Sequence, residues 1–186
     1  MKNLQFKQLL LLSDTQKKAN QFLFQKRFNL ITADDNSVGK STLAKLLLWT
    51  FGCEPDFDST WKSTDCKCLV DFSIDGTNYK ILRYQNFISL KEENKEILNY
   101  TNIGGDYSKK FAELVDFKVL LPKRGSNETE LITPPPAYYF LPFYMDQKNS
   151  WSKTWNSFGK LGQFDSWQKT VIKYHLGYLS PKHFEL

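Results

Sequence analysis

The residues best suited to chemistry lie between Asp34 and Thr42, which read Asp-Asp-Asn-Ser-Val-Gly-Lys-Ser-Thr. A phosphate-binding loop consists of Gly, four residues, Gly-Lys and then Ser or Thr, set between a strand and a helix. Gly39-Lys40-Ser41 matches its end. In such a loop the backbone N–H groups of Asn36, Ser37, Val38, Gly39, Lys40 and Ser41 surround a β-phosphate. The helix that follows points its positive end at the anion. Lys40 would reach the β- and γ-phosphates and the Ser41 hydroxyl would hold Mg²⁺, with Asp35 and Thr42 flanking the cradle. The expected ligands are therefore ATP and Mg²⁺.

One position departs from the pattern, because Asp34 stands where the first Gly belongs. Asp enters left-handed backbone more readily than most residues, so the loop can still form. Its carboxylate is unfavourable beside phosphate by ~1 kcal/mol when both stay hydrated about 4 Å apart, which Mg²⁺ and Lys40 would offset. The bland alternative is a Gly-Lys-Ser turn that starts a helix and binds nothing. Correct strand and helix flanks would argue against it.

Those flanks are legible. Leu4 to Leu12 reads as a strand, and Phe28-Asn29-Leu30-Ile31 as a second after the polar stretch Thr15 to Lys26. Lys40 to Phe51 has helical spacing at Leu43, Leu46 and Leu47, and Gly52 is a suitable stop. Leu69 to Ile74 and Tyr79 to Tyr84 alternate around a Gly-containing turn and predict an antiparallel hairpin, which Ile88 to Ile97 extends. Tyr107 to Val115 and Ser166 to Leu179 predict helices. Pro122 to Pro136 reads as a Pro-rich loop, and Tyr138 to Met145 as an aromatic strand. The expected fold is an α/β P-loop lobe over residues 1–186, a mixed sheet with an antiparallel β subdomain and flanking helices. Its parts are a P-loop core to about residue 100, an insert and loop over about 101–137, and a closing strand with helices over about 138–186.

Composition sets further bounds. The chain has 186 residues, 41% of them hydrophobic, enough for one sizeable core. A net charge of +5 comes from 25 basic and 20 acidic residues mixed along the chain, which permits DNA contact without pointing to it. Three cysteines, Cys53, Cys66 and Cys68, lack a zinc-site spacing and read as reduced thiols. The short apolar run Leu9 to Leu12 is neither a secretory signal nor a membrane span, so the expectation is a cytoplasmic protein with no membrane partner.

The run from Asn29 to Leu43 resembles the start of SMC- and RecN-type ABC ATPase heads. There an apolar strand leads into Gly-Glu-Asn-Gly-Ser-Gly-Lys-Ser-Thr. Asp35 stands in the place of the acidic residue and Asn36 in that of the Asn. The hairpin ending at Arg83-Tyr84 agrees with this, as does Gln147 after an apolar run. Phe143-Tyr144-Met145-Asp146-Gln147, with Trp151 and Trp155 beyond, is similar to the form found in SMC-like bacterial antiphage-defence ATPases of the Lamassu type. The resemblance implies a Q-loop role for Gln147, in contact with Mg²⁺ or the attacking water. It also implies ATPase activity with Lys40 and Gln147 in the machinery, and Lys62 as a basic residue near phosphate. An exposed turn is the plainer reading of Gln147, and a surface lysine that of Lys62.

In that family, hydrolysis needs a Walker B Asp-Glu pair and a Ser-Gly-Gly signature, and neither occurs here. Leu9 to Asp14 and Leu114-Val115-Asp116 echo Walker B only superficially. The resemblance thus implies a half-head that is inactive alone, with a C-terminal lobe and a second head, as a homodimer, for partners. DNA and an accessory defence or effector subunit are further partners it allows. Two other readings stay open, a stand-alone P-loop kinase and a degenerate nucleotide-binding or assembly module. Arg27, Arg83 and Arg124 do not cluster as a kinase lid would require.

Overall fold

The computed structural model describes residues 2–35, 39–125, 130–148, 150 and 155–184. It divides into two units, one spanning Lys2–Phe51 with Phe57–Ile103 and the other Gly52–Asp56 with Gly104–Leu186.

The first unit is built on a sheet of six strands, β1 (Leu4–Ser13), β2 (Lys18–Leu23), β3 (Cys66–Ile74), β4 (Thr77–Tyr84), β5 (Phe87–Glu92) and β6 (Ile97–Tyr100). Their order is β2-β1-β3-β4-β5-β6 and every pairing is antiparallel, so the expected mixed sheet is corrected to an antiparallel one. Asp75 and Gly76 turn β3 into β4 with φ 47° and 89°, the left-handed pair that a two-residue hairpin requires. Alternation then sends Val70, Phe72, Ile81 and Ile88 into the core. Helix α1 (Lys40–Thr50) contributes Leu43, Leu46 and Leu48, and α2 (Ser59–Lys62) starts at Asp58, whose carboxylate accepts from the Trp61 N–H at 3.0 Å. Phe51 packs edge-on against Phe6 and Phe72 with ring centroids 5.6 and 4.9 Å away. Each such buried side chain stabilises the unit by roughly 1.5–3 kcal/mol.

The structure adds to the sequence reading at one place in this unit and corrects it at another. Strand β2 lies within Thr15 to Lys26, read only as a polar stretch; its Lys18, Ala19, Asn20 and Gln21 are exposed, as suits a sheet edge kept polar against further pairing. Conversely, Phe28 to Ile31 forms no ladder among the described residues, and Phe28 and Leu30 are 91% and 88% exposed. Asn29 instead exchanges hydrogen bonds with the Gln25 backbone at 2.6 and 3.0 Å. An apolar run becomes a strand only when a neighbouring strand and a core face receive it.

The second unit is helical and aromatic. It holds α3 (Asp106–Val115), a small ladder of β7 (Leu121–Pro122) and β8 (Leu131–Ile132), α4 (Ala137–Phe140) and α5 (Trp167–His175). Tyr107, Phe111 and Leu114 line the buried face of α3, and Trp167, Val171 and Tyr174 that of α5. The Tyr174 hydroxyl accepts from the Lys118 N–H at 3.1 Å and donates to the Asp116 carbonyl at 3.0 Å, closing the end of α3. Tyr138 meets Trp167 and Phe164 edge-on at 5.2 and 5.3 Å, and its hydroxyl donates to the Leu161 carbonyl at 2.7 Å. The aromatic run at Tyr138 is corrected from strand to α4 followed by a 3-10 turn, Leu141–Phe143. Pro135 and Pro136 open that helix, their carbonyls accepting from Tyr138, Tyr139 and Phe140, and all four side chains of Ala137–Phe140 are buried. Burial on every side erases the periodicity that separates helix from strand.

Candidate functional site

Gly39 caps α1 with φ 93° and ψ 11°, a left-handed conformation that glycine enters without strain. A Cβ there would meet nothing within 4 Å, so the dihedral angle, not crowding, calls for glycine. The helix then begins with the Leu43 N–H donating to the Gly39 carbonyl at 2.9 Å. Neither a capping side chain nor an acidic residue occupies its first turn, which leaves the positive helix end uncompensated. Lys40 folds back across the loop and donates to the Asp35 carbonyl at 2.7 Å. Ser41 is exposed, Thr42 half-buried, and Asp34 and Asp35 are exposed. Asn36, Ser37 and Val38 lie outside the described residues. What is described fits a phosphate group: an open glycine, a lysine at the loop mouth, an exposed hydroxyl and no competing cap. Among the described residues no group of three or more His, Cys, Asp or Glu side chains could hold a metal ion.

Gln147 belongs to the helical unit and is exposed. It follows the 3-10 turn rather than a strand. Its neighbour Asp146 organises the turn: only 2% exposed, it accepts at Oδ2 from the Lys148 N–H at 3.1 Å and at Oδ1 from the Tyr144 hydroxyl at 3.3 Å. The Asp146 N–H reaches Ser150 Oγ at 2.9 Å and Ser157 Oγ at 3.2 Å. Those two hydroxyls lie 2.9 Å apart, and Ser157 donates to the Tyr144 carbonyl at 2.7 Å. The Tyr144 phenol is pushed above its usual range, chiefly by burial and then by the Asp146 charge. A buried carboxylate with this many donors fixes the backbone on both sides of Gln147. Sequence reasoning missed Asp146 as an organiser. The available signal was Asp with a serine four residues on.

Arg83 was also missed. It occupies a core-facing position of β4 beside Ile81 and is 2% exposed. Its guanidinium lies 4.3 Å over the Trp49 ring, Nη1 donates to the Trp49 carbonyl, and Nε donates to the Gln85 carbonyl at 2.8 Å. A cation on the last carbonyls of α1 complements that helix end. Lys62 closes α2, but its side chain lies outside the description. Cys68 is buried beside Thr50, and burial pushes its thiol up to about 12.

No helix among the described residues is long and apolar enough to cross a membrane. No family model matches the chain. The chain is similar to the Lamassu protein LmuB of Bacillus cereus (strain VD014), with 27% identity over 184 residues, covering 98% of this chain and 32% of that protein. It is also similar to the Lamassu protein LmuB of Bacillus sp. (strain NCIM 5461 / CCTCC AB 2011126 / NIO-1130), with 27% identity over 136 residues, covering 73% of this chain and 23% of that one. The chain thus spans about a third or less of the length of these relatives. The longer alignment runs through both units, so the likeness is not confined to Asp34 to Thr42.

Proposed function

We propose that this chain is the ATP-binding N-terminal lobe of an SMC-like ATPase head and serves a Lamassu-type antiphage-defence assembly. The observation that carries the nucleotide reading is Lys40 folded onto the Asp35 carbonyl beside a left-handed Gly39, at the uncapped start of an 11-residue helix. The similarity to LmuB over nearly the whole chain supports the defence setting.

In this reading the first-turn N–H groups of α1 and the Lys40 ammonium bind and orient the phosphates, and Ser41 shares the cation with them. Bound Mg²⁺ would neutralise charge on the phosphate oxygens. Gln147, held by the Asp146 turn, orients the attacking water, and the general base comes from outside these residues. Phe28 to Ile31 supports the half-head reading. Apolar, exposed and outside any ladder among the described residues, it suits strands supplied by a C-terminal lobe. A second head, DNA and other defence subunits complete the proposed set of partners. Arg83 is committed to α1, and Arg124 pairs with Asp165 at 2.8 Å, which weakens the kinase alternative.

Titration with a fluorescent ATP analogue tests the proposal. Mg²⁺-dependent binding to the wild type that Lys40→Ala weakens at least about tenfold is expected for loss of a charge-assisted phosphate contact. Absence of binding by the wild type would overturn it.

A further inference from the structure

We infer that the outer face of the six-stranded sheet is a docking surface for a protein partner, and that its occupant is an amphipathic helix with an apolar stripe bordered by carboxylates. The inference rests on the sheet unit alone and is independent of nucleotide binding.

Alternation along the strands gives the sheet two faces. Leu9, Val70, Phe72, Ile81 and Ile88 turn into the core, so Leu10, Leu12, Leu69 and Leu82 turn outwards. Register lines them up. Leu10, Leu69 and Leu82 are direct neighbours on β1, β3 and β4, and Leu12 follows two residues along β1 with Ala19 of β2 opposite it. Together with Lys67 they line a hollow of about 600 Å³. Leu12 stays 44% exposed, and Leu10, Leu69 and Leu82 are half-buried. A contiguous row of leucines on an open sheet face marks an interaction site.

Charge decides what can cover it. On one side of the row stands Lys67, paired with Asp14 and 5.1 Å over the Tyr84 ring. On the other side Asp71, Lys80 and Lys91 are successive neighbours on β3, β4 and β5. A second hollow there, of about 380 Å³, gathers Lys7, Lys80 and Lys91 with Asp71 and Glu93. Lys80 reaches Asp71 at 3.4 Å, Lys7 donates to the Asn78 side chain, and Glu93 accepts from Asn78 Nδ2 at 2.8 Å. Lys91 is exposed and has no ion pair among the described residues. It lies directly opposite Lys80, a like-charge pair whose repulsion an incoming carboxylate would relieve. The two charged borders are roughly 14 Å apart, four residues at about 3.4 Å each, and a helix with its side chains is about 10–12 Å across. Its apolar stripe would lie on the leucines and its carboxylates over the lysines of either border. A second copy of this face would set lysines against lysines, and a nucleic-acid backbone would bury the leucines under phosphate.

Fluorescence anisotropy with the full chain tests this, the probe being a synthetic helix of about five turns with leucines along one face and glutamates on both borders. It should bind at least about tenfold tighter than a control of the same composition with the leucines scattered, and than a version with lysines in place of the glutamates. Lys80→Glu combined with Lys91→Glu should weaken the glutamate helix about tenfold and strengthen the lysine version, a reversal that misfolding cannot produce. Leu69→Thr combined with Leu82→Thr, which keeps strand propensity, should weaken both. If the glutamate helix binds no better than the scattered control, or binds the charge-reversed chain as it binds the wild type, the docking surface is wrong. Binding of a DNA duplex or of phosphatidylglycerol vesicles in its place, lost on the same charge reversal, would overturn the protein partner in favour of nucleic acid or membrane. Self-association that the leucine substitutions abolish would overturn it in favour of a second copy.

Discussion

The Lys40 ammonium donates to the carbonyl of Asp35 at 2.7 Å, five positions back across the loop. This holds the ammonium close to the Asp35 backbone. Because Asp35 is exposed, the bond contributes little to the fold. Lys40→Ala should therefore shift urea stability by less than about 0.5 kcal/mol while removing nucleotide affinity. Denaturation and titration of the same preparation separate the two effects, and a large stability loss would show that Lys40 is structural.

Arg83 should behave in the opposite way. Its removal leaves the Trp49 and Gln85 carbonyls without this donor and opens a void beneath the Trp49 ring. Arg83→Ala is expected to cost about 3–4 kcal/mol, measured by urea unfolding. Arg83→Lys should recover only part of this, because an ammonium cannot fork between two carbonyls while stacking on an indole.

At the Gln147 turn, Asp146→Ala should destabilise the chain by about 2 kcal/mol, since the donors from Lys148 and Tyr144 lose their acceptor. Asp146→Asn keeps an acceptor and should lose less than half as much. In a head completed by its C-terminal lobe, both variants should lower ATP turnover more than ATP binding. Equal losses of turnover and binding would remove the link to Gln147.

His175 supplies a pH signature. It stacks on Phe117 at 5.5 Å, meets Trp155 and Phe143, and has a buried Nδ1 with no partner among the described residues. Burial holds its pKa below the usual 6.5, with the Tyr138 carbonyl opposing the shift weakly. The unfolded chain thus binds the proton first. This contribution is fully present above about pH 6.5 and is lost as pH falls towards the folded pKa. His175→Phe should flatten the stability profile between about pH 7 and pH 5. An unchanged slope would assign that dependence to other groups.

Cys68, with its thiol pushed up to about 12 by burial, should resist alkylation in the native chain at pH 8 and react only after unfolding. Mass spectrometry of the alkylated peptides checks this. Prompt labelling would mean that the β3 face opens readily.

The sequence revealed those parts of the fold where local chemistry and tertiary packing agree. The hairpin at Asp75-Gly76, α1 after Gly39, and the apolar faces of α3 and α5 all followed from period and turn type. The misses share one cause. Strand β2 is polar because it is an edge, Tyr138 to Phe140 lost periodicity because every side is buried, and Phe28 to Ile31 has no neighbour among the described residues that would make it a strand. Gly39-Lys40-Ser41 stood out by residue type alone, and the structure puts Gly39 in left-handed backbone at the start of α1. The support around Gln147 was not, because Asp146 finds Ser157 eleven residues away through a fold that local pattern does not encode.

Phe28 and Leu30 also bear on how the chain behaves in the test tube. An exposed apolar segment outside any ladder among the described residues is a template for whatever strand meets it first. At high concentration that strand is another copy's, and the result is oligomers or precipitate. Charged replacements at Phe28 and Leu30, or production together with a complementing lobe, should keep the protein in solution, and size-exclusion profiles across a dilution series would show it.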